Sequence, residues 1–251
     1  MTNKKPGADK SISRTSITAF ESSKDEFPLL LSKGEIHCLW SFMLWASIMN
    51  PETRRHLRQS WGLCERHGWG WLTMECSLRQ DYLHGPAILY EDIMERARVA
   101  FVGRLHFKAL QRRLRNRDQC LMCDMGYGPQ SIGYPDKETL KAGRDFSNLR
   151  SFALKTRRYW EKYVCKLCMG EQGEGLLCRP HLLSELSYER LSQKDIDIQK
   201  HFVDYMSEQV RIYARSFRWE WRGTKTVENE ASLIMAIGWC YGWTELLRII
   251  S

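Results

Sequence analysis

The chain has 251 residues, of which 43% are hydrophobic, 12% aromatic and 27% charged, and its formal net charge is +8. This balance is typical of a globular protein and excludes a disordered polymer, a coiled-coil rod and a collagen-like fibre. The length is sufficient to bury a hydrophobic core, so a bound metal would add to that core rather than replace it. The positive charge permits an anionic partner but does not require one.

Residues 1–27 are expected to form a disordered tail, because they are rich in Lys, Ser and Thr and lack the apolar stretch of a secretory signal. The longest apolar run, Ala231 to Trp243, has about 13 residues and is shorter than the ~20 that span a bilayer. We therefore expect a cytoplasmic protein with no membrane-spanning helix. In that reducing compartment, nine cysteines favour metal or redox chemistry over disulfides.

Helical spacing of apolar residues recurs along the chain and strict alternation is scarce, so the predicted fold class is all-α. The first predicted helix covers Ile36 to Met49 and ends at Asn50, and Pro51 can open the next helix. The segment from Leu83 to Leu114 fits one long helix or two. Turn-forming residues predict a loop from Gly126 to Asp136.

Three further helices are predicted in the second half of the chain. A basic, aromatic helix is expected from Leu149 to Tyr163, and an amphipathic helix of about six turns from Asp195 to Phe217. A final helix is expected from about Val227 to Ile249. Gly238 and Gly242 lie one turn apart in it and would allow another helix to approach closely.

The cysteines and histidines fall into closely spaced pairs, a pattern typical of zinc sites. In chain order the candidate ligands are Cys38, Cys64-x-x-His67, Cys120-x-x-Cys123, Cys165-x-x-Cys168 and Cys178-x-x-His181. A CxxC pair supplies two thiolates from one tight turn, and a helical CxxH pair places both of its ligands on one face. The last two pairs lie within one short stretch and form a complete Cys₃His set. The sequence therefore predicts a structural Zn²⁺ there, in a helical bundle with zinc-stapled loops.

Three other interpretations of these cysteines carry less support. They could be scattered buried thiols, although two CxxC pairs and a CxxH pair are improbable by accident. An iron–sulfur cluster usually has only cysteine ligands. A redox-active CxxC needs a βαβ context that the sequence lacks.

The first half of the chain echoes the second, because Gly62-Leu63-Cys64-x-x-His67 resembles Gly175-Leu176-Leu177-Cys178-x-x-His181. The matching upstream pair would be Cys38-x-x-Ser41, in which a serine replaces the second thiol. Because a neutral hydroxyl is a poor zinc ligand, we expect this first site to be degenerate, with Cys38, Cys64 and His67 as its ligands and His37 as a candidate fourth. Alternatively, these residues pack as core groups. One zinc ion per chain is expected, and two zinc ions are the alternative.

These motifs divide the chain into a tail and three further parts. The predicted domains are residues 1–27, the tail; 28–117, a first and degenerate repeat; 118–190, a second and metal-binding repeat; and 191–251, a C-terminal helical pair that packs on the repeats.

The tandem CxxC…GLCxxH arrangement resembles a bacterial family known only as a domain of unknown function. Three further stretches are similar to it, namely Gly85–Asp92, Leu177–Leu182 and Phe217–Trp239. The resemblance covers roughly Leu30 to Trp243. It implies a helical cytosolic protein with two cysteine/histidine clusters and no established activity.

The chain departs from that family at Ser41 and in having an additional CxxC. Cys120 and Cys123 could complete a site with Cys178 and His181, or could bind separately alongside Cys165 and Cys168. Proximity in the sequence favours Cys165 and Cys168 as the partners of Cys178 and His181.

Basic residues with interleaved aromatics suggest a second function, nucleic-acid binding. They concentrate in residues 104–117, with six basic residues and no acid, in 148–162, and in 211–222, which contains Trp219 and Trp221. The alternative is that these are solvated helix faces with intramolecular ion pairs. The cysteine spacing does not match a C₂H₂ finger.

Enzyme motifs are scarce, since the sequence has no phosphate-binding glycine loop, HExxH helix or GxSxG. A three-ligand site at Cys38, Cys64 and His67 could keep an open coordination position, as catalytic zinc does. This is the one enzyme hypothesis that the sequence supports. We therefore predict a zinc-binding protein with an interaction or regulatory role and an unidentified protein partner. The ten tryptophans are expected mainly in the core.

Overall fold

The computed structural model describes residues 30–44, 47–79, 82–103, 106–171 and 175–251, and all regular structure within these ranges is helical. The all-α prediction is confirmed. The predicted tail, residues 1–27, lies outside the described residues.

The helices follow one another through short connections. They are α1 (Lys33–Leu44), α2 (Pro51–Gln59), α3 (Glu65–Leu78), α4 (His84–Ala100), α5 (Phe107–Leu114), α6 (Leu121–Asp124), α7 (Lys137–Ala142), α8 (Ser147–Trp160), α9 (Arg179–Ser187), α10 (Gln193–Arg215), α11 (Val227–Tyr241) and α12 (Thr244–Ile250). Single turns of 3₁₀ helix occur at Ser47–Met49, Glu161–Tyr163, Lys166–Met169 and Trp219–Trp221.

Helix α11 forms the centre of the bundle. Its residues from Asn229 to Tyr241 are all buried, as expected for a helix that is apolar around its whole circumference. Helices α8 and α10 pack against it, and α4 packs along α10. The buried apolar side chains form one contiguous cluster that extends from Leu31 to Ile249.

The helix bounds differ from the prediction at two places. The first helix begins at Lys33, is α-helical to Leu44 and has only a 3₁₀ turn at Ser47–Met49, and the final predicted helix is shorter than the periodicity suggests. The segment from Leu83 to Leu114 contains two helices, α4 and α5, which was one of the two options. The final helix ends at Tyr241, because Gly242 has a φ of 131° that breaks the helical path before α12. A Cβ at Gly238 would overlap the Trp243 ring, so this glycine accommodates an aromatic ring from the following turn rather than a second helix.

The tryptophans largely occupy the core, as predicted. Six of them are almost completely buried, namely Trp61, Trp69, Trp71, Trp160, Trp239 and Trp243. Trp219 and Trp221 are exposed on the turn after α10. Within the described ranges, no helix combines the length and the apolar character needed to cross a membrane.

Candidate metal centres

The candidate ligands assemble into two groups of four. Site A consists of Cys64, His67, Cys120 and Cys123, and site B consists of Cys165, Cys168, Cys178 and His181. Within each group the four potential ligand atoms lie within 4.8 Å of one another. Each group could therefore hold a metal ion.

Site B brings together the four residues that the sequence suggested as a set, whereas site A differs from the expectation. Cys120 and Cys123 lie with Cys64 and His67, and not with the ligands of site B. Cys38 belongs to neither group, and the Ser41 hydroxyl donates to the main-chain carbonyl of His37. The expected degenerate site with three ligands is therefore corrected to a complete group of four.

The four pairs share one local construction. Cys64 and Cys178 are the N-caps of α3 and α9, with extended backbone, and each histidine is the third residue of the helix that follows. Likewise, Cys120 and Cys165 precede a single helical turn that contains the second cysteine of the pair. The N-cap and third positions face each other, as in a capping box. None of the four N-cap sulfurs caps its helix by a hydrogen bond, so each remains available as a ligand.

Gly62 shapes the turn that precedes Cys64. It has a φ of 101°, in the left-handed region that favours glycine. A Cβ at this position would overlap the hydroxyl of Tyr241, which donates to the carbonyl of Trp61. The turn therefore packs against α11 and places Cys64 at the start of α3.

Similar distances separate the ligand atoms in the two sites. In site A, the Nδ1 atom of His67 lies 3.2 Å from Cys64 Sγ, 3.4 Å from Cys120 Sγ and 3.5 Å from Cys123 Sγ. The sulfurs of Cys64 and Cys123 are 3.8 Å apart, which is too far for a disulfide of about 2.05 Å.

In site B, the Nδ1 atom of His181 lies 3.2 Å from the sulfurs of Cys165 and Cys178 and 3.5 Å from that of Cys168. The sulfurs of Cys168 and Cys178 are 3.8 Å apart. Both sites therefore place one ring nitrogen among three cysteine sulfurs.

Without a cation, the groups of site A cannot all be deprotonated together. Contact with the Cys64 thiol, supported by His67, lowers the pKa of Cys120 to about 3, and the same contact raises the pKa of Cys64 far above its usual range. Burial alone lowers the pKa of His67, but its contacts with Cys120 and Glu35 outweigh burial and raise this pKa to about 9. The first thiolate thus disfavours the second, and a divalent cation would replace the remaining protons.

Site B shows the same electrostatic pattern. Contacts with Cys165 and Cys168 raise the pKa of His181 to about 10. The neighbouring thiols of Cys168 and Cys178 lower the pKa of Cys165, whereas the contact with Cys165 raises the pKa of Cys178. Three sulfurs and an imidazole packed this closely need a positive charge to become ligands together.

A buried carboxylate contacts the histidine of site A. Glu35 is fully buried on the first turn of α1, and its Oε1 atom lies 3.0 Å from the Nε2 atom of His67. The Arg66 guanidinium and the Ser32 main-chain N–H also donate to this carboxylate. Although burial opposes ionisation, the donors from Arg66, His67 and Ser32 together hold the pKa of Glu35 well below its usual range.

Glu35 belongs to the surroundings of site A although it is not among the residues predicted from the sequence. The Ser32-x-x-Glu35 pattern of a capping box was readable, and the serine hydroxyl does accept from the Glu35 N–H. Nothing in that pattern indicates a contact with a histidine 32 residues away.

The segment after Cys123 packs against the start of α1. The N–H of Gly34 donates to the carbonyl of Ser131 at 3.1 Å, and a Cβ at Gly133 would lie 2.6 Å from the carbonyl of Lys33. This close approach requires glycine at position 133. It fixes the Cys120–Cys123 turn beside the helix that carries Glu35.

The basic segments differ in their pairing. Lys155 pairs with Glu230, Arg157 with Glu161, and Arg211 with Glu208. In contrast, the exposed basic side chains of α5 and the segment after it form no ion pair with a carboxylate of the described ranges; they are Lys108, Arg112, Arg113, Arg115 and Arg117, of which Arg113 donates to the carbonyls of Ala100 and Val102.

No protein-family model matches the chain, and no curated protein or solved structure matches it significantly. The resemblance to a bacterial family of unknown function therefore stays a prediction.

Proposed function

We propose that the protein binds two zinc ions, one at site A and one at site B, each held by three cysteines and one histidine. The supporting observation is the spacing of the ligand atoms. A tetrahedron with zinc–sulfur bonds of about 2.3 Å and a zinc–nitrogen bond of about 2.0 Å has edges of about 3.8 Å between sulfurs and about 3.5 Å between sulfur and nitrogen. The distances in both sites, 3.8 Å between sulfurs and 3.2–3.5 Å between sulfur and nitrogen, fit these edges.

The donor set favours zinc over other metals. Three thiolates and an imidazole are typical ligands of structural zinc, whereas magnesium and calcium prefer oxygen. Iron–sulfur clusters usually have only cysteine ligands. The net charge of such a centre, three thiolates and Zn²⁺, would be about −1.

A structural role fits both sites better than catalysis. Catalytic zinc keeps one coordination position for water or substrate. The open position proposed for a Cys38, Cys64 and His67 site is filled in site A by cysteines of the Cys120–Cys123 turn. With four protein ligands at each ion, the metals would hold the helices in place. For the protein as a whole we propose an interaction or regulatory role.

The zinc at site A would join distant parts of the chain. His67 and Cys120 are 53 residues apart, and they lie on opposite sides of the predicted domain boundary at 117/118. Because these ligands come together only in the folded chain, the free energy of zinc binding would add to the stability of the fold.

Metal analysis of matched variants tests this proposal. We expect two zinc ions per chain in the native protein, one in Cys123→Ser, one in Cys168→Ser and two in Cys38→Ser. The last variant is the control, because Cys38 is a half-buried cysteine near site A that does not belong to it. A loss of zinc in Cys38→Ser, or no loss in Cys123→Ser, would contradict the assignment of site A.

A second candidate function is binding of a polyanion such as RNA or DNA. It is supported by the exposed basic side chains at Lys108, Arg112, Arg115 and Arg117, which form no ion pair with a carboxylate in the part of the chain that the structure describes. Lys and Arg contacts to phosphates release counterions, so the affinity should fall steeply with salt.

The test measures binding of a single-stranded oligonucleotide as a function of salt concentration. Replacing Arg112, Arg115 and Arg117 with Gln should weaken binding and reduce the salt dependence. Arg157→Gln together with Arg211→Gln is the control, since those side chains already pair with glutamates. Equal effects of both sets would contradict a specific surface at α5.

A further inference from the structure

A cavity of about 350 Å³ lies between α1, α3 and the start of α4, away from both metal sites. Its walls are mainly apolar and aromatic, and include Phe42, Met43, Ile48, Trp71 and Ile88. The Phe42 and Trp71 rings pack edge to face with centroids 5.5 Å apart. The volume is at the lower end of the range for small-molecule sites, about 300–1,000 Å³.

One buried acid lines this cavity. Glu75, on α3, is only 5% exposed, and its Oε1 atom accepts a hydrogen bond of 3.0 Å from Trp71 Nε1. No lysine, arginine or histidine of the described ranges forms an ion pair with it. Arg79, one turn further along α3, also lines the cavity and lowers the pKa of Glu75, but its guanidinium donates to the carbonyl of Met43 at 3.4 Å and does not pair with the carboxylate.

The carboxyl of Glu75 therefore lies in an apolar site, and no cation of the described ranges forms an ion pair with it. Burying a carboxylate without such a partner is unfavourable, and a bound cation would remove that cost. The second basic residue at the cavity, His84, does not supply the charge, because burial and Arg218 lower its pKa.

We propose that this cavity binds a small hydrophobic amine, whose ammonium pairs with Glu75 and whose hydrocarbon body contacts Phe42, Trp71 and Ile88. The Glu75 carboxylate would select the charged head of the ligand, and the apolar walls would select its hydrocarbon body. The volume suits a single ring or a short branched chain. This site is independent of the proposed zinc ions.

Calorimetry on the 251-residue chain, purified with zinc present, tests the proposal with three probes that share one hydrocarbon body: 2-phenylethylamine, 2-phenylethanol and 3-phenylpropionate. We expect the amine to bind at least 10-fold more tightly than the alcohol, and the carboxylate not to bind measurably. Glu75→Gln keeps the acceptor for Trp71 but removes the charge, so the amine should lose at least 10-fold in affinity while the alcohol changes little.

Two further variants keep the test interpretable. Gly85→Ala would place a methyl group 3.5 Å from Glu75 Oε1 and from Ile48 Cδ1, which are ordinary contact distances, so it should narrow the cavity without disturbing the fold and weaken both amine and alcohol. Glu230→Gln removes another buried carboxylate, paired with Lys155 and Lys225, and should leave amine binding unchanged. Equal affinity for amine and alcohol, tighter binding of the carboxylate, or no binding of the amine would overturn the proposal.

Discussion

Glu35 Oε1 lies 3.0 Å from the Nε2 atom of His67, while the Nδ1 atom across the same ring faces the sulfurs of Cys64, Cys120 and Cys123. This is the relationship by which a carboxylate fixes the tautomer of a metal-binding histidine and increases its basicity. The Glu35 carboxylate is itself held by Arg66, so its position is defined.

Replacing Glu35 with Gln should weaken zinc binding at site A by about 10- to 100-fold, the usual effect of losing such a partner, and leave site B unchanged. Competition with a chromophoric chelator would resolve the two affinities. Glu230→Gln is the matched control, because it removes a buried, ion-paired carboxylate that contacts neither site. Equal weakening of both sites, or an unchanged site A, would argue against the role given to Glu35.

Removing the metal should destabilise the fold, since each site then contains crowded thiols with no cation to hold them together. For a chain of this size, a loss of about 5 kcal/mol corresponds to a fall in Tm of roughly 10–20 °C. Calorimetry before and after chelation, with the metal content measured in both samples, would show this shift. Complete metal removal without a change in Tm would contradict a structural role.

Gly62→Ala should destabilise the protein by about 2–4 kcal/mol, because it combines a left-handed backbone with overlap of the Tyr241 hydroxyl. Gly223→Ala separates these two causes. Gly223 has a φ of 83° but open space where a Cβ would lie, so we expect a cost of about 1 kcal/mol. Chemical denaturation of the two variants measures the difference, and similar costs would show that the Tyr241 contact is unimportant.

Glu75→Gln should stabilise the protein at alkaline pH. Burial, only partly offset by Arg79 and Trp71, raises the pKa of Glu75 from 4.5 to about 7 in the folded state. The folded protein therefore holds this proton more tightly than the unfolded chain, and the native protein loses stability as the pH rises from about 4.5 to about 7.

The glutamine variant lacks this titration. The difference in free energy of unfolding, variant minus native protein, should therefore be about 2 kcal/mol larger at pH 8 than at pH 5.5. Arg79, Tyr82 and His84 also line the cavity and are unchanged in the variant. Urea denaturation at the two pH values, with zinc present, provides the measurement. A difference that does not depend on pH would show that Glu75 titrates normally.

The sequence predicts the local pairs of ligands well but not how the pairs combine. A Cys-x-x-Cys or Cys-x-x-His pair depends only on the geometry of one helical turn, and all four such pairs lie at helix starts in the structure. The combination of His67 with Cys120 depends on how α3 and the α6 turn pack, and no spacing encodes it. Proximity along the chain gave the right group for site B because its two pairs are separated by a short linker.

Cys38 illustrates why a cysteine near a site need not be a ligand. It lies on α1, close enough to Cys120 for the two to interact, yet outside the group of four. Burial, followed by the influence of Cys120, raises the pKa of Cys38 to about 11, so its thiol remains protonated at neutral pH. The sequence predicts Cys38 in the first site because Cys38-x-x-Ser41 resembles a ligand pair. In the structure, the second ligand pair of site A is Cys120 and Cys123.

X-ray absorption at the zinc edge of the native protein tests the central claim most directly, because it reports the ligands of the bound metal. The two Cys₃His sites predict an average of three sulfurs at about 2.3 Å and one nitrogen at about 2.0 Å per zinc. An average of two sulfurs with two lighter atoms, or four sulfurs, or the absence of a zinc signal, would contradict the assignment of His67 and His181 as ligands beside three cysteines each.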